Sequence, residues 1–249
     1  MNPIMLANAG LAAAAFVVLA LPVLIAAPRK AGWLPVIAAV ALIDSFTTLA
    51  PFIYKPLKLF GHEWNWSGKL FDIVALLIVA MILAVSGRIS RGEMGFTLRQ
   101  APGSFRPALI VSILLLILWA ALQATLFGNP KPPSAETLYY EASMPGLAEE
   151  LSYRGVMLAI FNRMFEGRIN LLGAKVGYGA LAVSVAFGVL HGIGFGKDFQ
   201  FQFAPMVIAV TGAIGFVLAW IRERTGSLAL PIVVHNATNL IGETVLKIV

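Results

Sequence analysis

Two adjacent carboxylates, two histidines and a carboxamide, spread over three apolar stretches in the second half of the chain, are the residues whose types and spacing could do chemistry: Glu149 and Glu150, His191, and His235 with Asn239. Glu150 and Arg154 are four apart, so on one helix they share a face and can pair. Glu149 lies about 100° round the same helix, where that arginine cannot serve it equally, and is the carboxylate left for chemistry. His235 and Asn239 are also four apart and can project at one point. A carboxylate with an imidazole can position and deprotonate a water. An imidazole with a carboxamide can donate hydrogen bonds to the oxyanion formed as water attacks an amide. These are the parts of a peptide hydrolase that has no side-chain nucleophile. Cysteine is absent, which excludes disulfides and thiolate chemistry and leaves water or a hydroxyl as the nucleophile.

The elements that must position these residues are apolar throughout. Of the 249 residues, 59% are hydrophobic and 12% charged, about half the charged fraction usual in a soluble domain. Such a surface cannot be covered with polar groups, so lipid is its natural solvent. The formal charge of +6 sits in short Lys/Arg clusters between apolar stretches, where it meets headgroups and sets topology; there is no nucleic-acid footprint. A membrane span needs about 20 apolar residues. The breaks then predict an all-α polytopic bundle of eight helices, near 4–27, 32–54, 70–88, 107–127, 136–165, 175–195, 203–223 and 227–247. The first stretch lacks a basic n-region and exceeds a signal-peptide core, so it reads as a retained span. Residues 1–249 form one transmembrane domain, with four N-terminal helices of unassigned role in 1–130 and the chemistry-bearing helices in 136–247. Alternate connections hold eleven Lys and Arg against six, which makes the richer side cytoplasmic and places both termini outside if there are eight spans.

The spelling of the three stretches is specific. Glu149-Glu150-Leu151-Ser152-Tyr153-Arg154 reads E-E-x-x-x-R, Phe187 to His191 reads F-x-x-x-H, and His235 to Asn239 reads H-x-x-x-N. In that order, over roughly 140–245, they resemble the CAAX protease and bacteriocin-processing (CPBP, or Abi) family of intramembrane peptidases, which includes the type II CAAX prenyl endopeptidases. The resemblance implies eight transmembrane helices around a water-filled cavity. It assigns water activation to Glu149 and His191, oxyanion stabilisation to His235 and Asn239, and support of the site to Glu150 and Arg154. It implies a peptide or protein substrate delivered through the bilayer and hydrolysis by a glutamate-type, metal-independent route. The family was first described as metalloproteases, and a zinc ion held by Glu149, His191 and His235 is the alternative. The compact length and short loops suggest a prokaryotic inner (plasma) membrane.

Blander readings stand beside these. Glu150 and Arg154 could be a purely structural pair, and Asn239 could tie its helix to a neighbour. The H-E-x-x-H spacing of soluble zinc peptidases is absent. Intramembrane carboxylates and histidines also serve proton-coupled transporters, although no repeat symmetry is visible, and a non-catalytic scaffold or immunity protein is a third reading. Phe187 reads as packing, Tyr153 as a residue able to reach the cavity, and Glu141 as an entrance or cap residue. Asp44 and Asp72 read as packing or loop hydrogen bonders, and His62 as a solvated loop residue. Gly192, Gly194 and Gly196 suggest a flexible or closely packed helix end.

Overall fold

The computed structural model describes residues 3–53, 63–127 and 131–245; His62, Lys55, Lys58 and Lys247 lie outside these. The described chain is mainly helical: α1 (Pro3–Ala26), α2 (Leu34–Ile53), α3 (Trp66–Val85), α4 (Phe105–Leu122), α5 (Ala135–Glu141), α6 (Met144–Glu150), α7 (Leu158–Met164), α8 (Tyr178–Gly192), α9 (Pro205–Thr225) and α10 (Ala229–Thr244). Two short antiparallel ribbons interrupt the helices. One pairs β1 (Arg168–Leu171) with β2 (Ala174–Gly177), the other β3 (Ile193–Phe195) with β4 (Phe201–Phe203).

Lipid-facing surface is explicit in the exposure pattern. On α4, Ile110, Ile113, Leu114, Ile117 and Leu118 are exposed, and on α3 so are Val74, Leu77, Ile78, Met81, Ile82 and Val85. An apolar band of this extent is not stable against water. Four helices among the described residues are long and apolar enough to cross a membrane, over Leu6–Ile25, Trp66–Val85, Phe105–Leu126 and Pro205–Thr225. The protein is therefore an integral membrane protein.

Several predicted boundaries shift for local reasons. The third helix starts at Trp66 rather than near residue 70, because the Asn65 side chain accepts from the Gly68 amide at 3.0 Å and caps it. The single helix expected over 136–165 is broken after Glu141, and Pro145, which has no N–H to give, sits in the first turn of the next piece. That piece then runs through a π-helical stretch, Leu151–Met157, before regaining α geometry as α7. The helix expected from 175 starts at Tyr178, since residues 174–177 pair as β2 instead.

Buried polar atoms tie the two halves together. Trp64 stacks on Tyr140 with centroids 4.8 Å apart, and its indole donates to the Thr137 hydroxyl at 2.9 Å. The Trp119 indole donates to the Thr238 carbonyl at 2.8 Å, joining α4 to α10. The glycines at the end of α8 prove to be close-packing residues: a Cβ on Gly188 would collide with the Ile208 carbonyl of α9, and one on Gly192 with Ile208 and Ala204. Small residues let membrane helices approach this closely. Gly188→Ala is expected to cost about 1–3 kcal/mol through overpacking, read as a lower unfolding temperature in detergent.

Candidate active site

Glu149 lies at the end of α6, His191 on the last turn of α8 and His235 in the middle of α10, and the three side chains converge. Glu149 Oε2 is 3.9 Å from His191 Nε2 and 3.7 Å from His235 Nε2. The other nitrogen of each ring is fixed. His191 Nδ1 is 2.7 Å from the Phe187 carbonyl, an acceptor only, so Nδ1 carries the proton and donates. His235 Nδ1 is 2.8 Å from Glu150 Oε1 and donates to it likewise. With Nδ1 so engaged, the Nε2 of each ring is left facing the carboxylate of Glu149.

Behind these groups stands a fully buried support. Arg154 Nη1 donates to the same Glu150 Oε1 at 2.7 Å and Nη2 to the Gly215 carbonyl at 3.1 Å, and neither charged side chain is exposed. Gly215 is small because the guanidinium lies against it; a Cβ there would come 3.0 Å from Nη2. Phe187 covers the other side, with its ring centroid 4.4 Å from the guanidinium carbon. It also packs 4.3 Å from the His191 ring and edge-on to His235 at 5.7 Å. Its spacing of four before His191 keeps both on one face of α8. Phe187 is packing, as expected from its type, but what it packs is the site itself.

Asn239 does not sit in this cluster. It lines a cavity of about 310 Å³ together with Glu141, His191, His235, Thr238, Gln123 and Glu243. Asn236, its neighbour, is structural: its Oδ1 accepts from the Gly146 amide at 2.9 Å, pinning α10 to α6. A second cavity, of about 410 Å³, is bounded by α1, α2, α3, Glu149, Tyr153 and β3. His191 lines both cavities.

The sequence reading missed Lys69. Assigned to a loop, it is in fact on the first turn of α3, and its ammonium donates to Glu149 Oε1 at 2.9 Å with only 13% of the side chain exposed. Asp44, on α2, lines the cavity beside it together with Tyr153, which does reach the cavity. Asp72 is fully buried, as packing requires, and its two carboxyl oxygens find no hydrogen-bond partner among the described residues. Lys69 and Asp72 are three apart on one span, and that pair of ionisable residues was the available signal. Lys69→Met is expected to cut turnover by about tenfold or more, about 1.4 kcal/mol of transition-state stabilisation per decade, with partial recovery in Lys69→Arg. Steady-state cleavage of a peptide in vesicles reads this.

The two Nε2 atoms and Oε2 are donor types that zinc accepts. The Lys69 ammonium, however, occupies the other oxygen of the same carboxylate and would repel a dication placed there. Among the described residues no group of three His, Cys, Asp or Glu side chains is disposed to hold a metal ion.

The chain matches no curated protein and no solved structure. Residues 131–241, which carry all of Glu149, Glu150, Arg154, His191, His235 and Asn239, match the model of the family described as type II CAAX prenyl endopeptidase Rce1-like. Over this segment, somewhat less than half of the chain, the protein is similar to the CAAX protease family.

Proposed function

We propose that this protein is an intramembrane endopeptidase that hydrolyses a peptide bond near one terminus of a membrane-associated peptide or protein, without a metal. The observation that carries the reading is the convergence of Glu149 Oε2 with two imidazole Nε2 atoms, at 3.9 and 3.7 Å. A water held between Glu149 and His191 at ordinary hydrogen-bond lengths gives up its proton as it attacks the carbonyl. The proton moves to Glu149 and then to the leaving amine. His235, turned by Glu150, donates to the developing oxyanion through an Nε2–H, and Asn239 donates from the cavity it shares with His235; Lys69 holds the Glu149 carboxylate in place from its other oxygen. The full bundle of eight spans as a single domain, and a prokaryotic inner membrane as its home, belong to the same proposal.

The family description makes a prenylated C-terminal CAAX peptide the first substrate class to try. The test compares the peptide termini of cells carrying the native protein with those carrying Glu149→Ala. New termini that depend on Glu149 support the reading. Identical termini, together with no cleavage of a farnesylated CAAX peptide by the purified protein in vesicles, overturn it.

A further inference from the structure

α1 is apolar along its whole length except for Asn8, and an amide in such a helix is costly unless it is paired. Its partner is the backbone of β3. The Phe195 amide donates to Asn8 Oδ1 at 2.8 Å, and Asn8 Nδ2 donates to the Phe195 carbonyl at 3.0 Å. A carboxamide that accepts from the N–H and donates to the C=O of one residue presents the donor–acceptor pair of a peptide unit on a neighbouring strand.

The position is an edge. β3 and β4 pair with Ile193 opposite Phe203 and Phe195 opposite Phe201, and the flanking bonds run from the Ala204 amide to the Gly192 carbonyl and from the Gly196 amide to the Gln200 carbonyl. Residues 192 and 196 therefore direct their backbone groups at β4. By the alternation of an antiparallel ladder, Ile193 and Phe195 direct theirs away from it, toward α1. That is the side of the 410 Å³ cavity, whose lining includes Asn8, Gly192 to Phe195, His191, Lys69 and Glu149. From Phe195 back to Ile193 is about 7 Å of extended chain, and His191 is two residues further on.

We infer that the outer edge of β3 is a backbone-binding site for the substrate: an extended peptide adds there as a third strand, displacing the Asn8 carboxamide, and is thereby aimed at Glu149 and His191. The inference rests on the hydrolase reading above and names how that site takes hold of its substrate. Recognition through main-chain hydrogen bonds selects extended conformation rather than side-chain identity, and one side of the peptide then bonds to β3 at every second residue only.

That periodicity is the test. A fluorescent, farnesylated CAAX octapeptide is N-methylated at one residue at a time, and each member is titrated onto the Glu149→Gln protein in lipid vesicles and also offered to the native protein for cleavage. Strand addition predicts that methylation at alternate residues weakens binding by about tenfold, as loss of a donor to a buried acceptor does, while the residues between change it little. Cleavage with no alternation overturns the strand and leaves the hydrolase standing, and binding with neither alternation nor cleavage overturns both. Alternating binding with no cleavage overturns the hydrolase and leaves the strand standing. Neither binding nor cleavage overturns both.

Discussion

Glu149→Gln is expected to lower the rate of peptide cleavage by about 10³-fold, within the range lost when a positioned general base is removed, while the protein still folds. The substitution keeps size and shape, and the new Oε1 can still accept from Lys69, whose ammonium lies 2.9 Å from the present carboxylate oxygen. What disappears is the oxygen facing His191 and His235 at 3.9 and 3.7 Å with a charge able to take a proton. Cleavage of a farnesylated CAAX peptide in vesicles, set beside an unfolding curve for the same preparation, reads both halves of the expectation. Native turnover in the variant would remove Glu149 from the reaction.

Arg154→Met is expected to be the most damaging single change outside the reacting groups. Arg154 is fully buried, and the oxygen of Glu150 that it binds is the one that also holds His235 Nδ1. Without the guanidinium, a carboxylate with no exposure is left uncompensated, and breaking such a pair costs about 3–5 kcal/mol. The Phe187 ring loses the cation it stacks on, and His235 loses a fixed partner. Unfolding temperature and cleavage should fall together. The double variant Glu150→Gln, Arg154→Met should regain much of the lost stability, because the buried charge goes too. A double variant as unstable as the single would show that the guanidinium acts through packing alone.

Much of the site was legible because lipid makes ionisable residues conspicuous. Glu149, Glu150, Arg154, His191 and His235 stand out against apolar runs, and helical spacing alone assigned Arg154 to Glu150, as found. Asn239 was placed beside His235 and does line a cavity with it, but that cavity also takes in Glu141, on a helix whose position relative to α10 no spacing rule gives. Lys69 was misread because Trp66-Ser67-Gly68-Lys69 looks like loop by composition; its helical state depends on the Asn65 cap and its burial on a carboxylate eighty residues away. The strand pairs β1–β2 and β3–β4 were invisible in segments of three or four residues, too short for any period to register. The Ala142–Ser143 break was hidden because Pro145 is tolerated equally by a kinked helix and a fresh helix start.

The π-helical stretch Leu151–Met157 carries a warning for anyone reading relatives of this chain by their letters. Such a stretch packs one more residue into the rise than α geometry allows. A relative lacking one of Gly155, Val156 or Met157 would relax to an ordinary helix, turning α6 by about 100° against α7. It would keep E-E-x-x-x-R, both histidines and the asparagine, and yet its glutamate would point away from them. Spelling would still announce a hydrolase; phase would have silenced it.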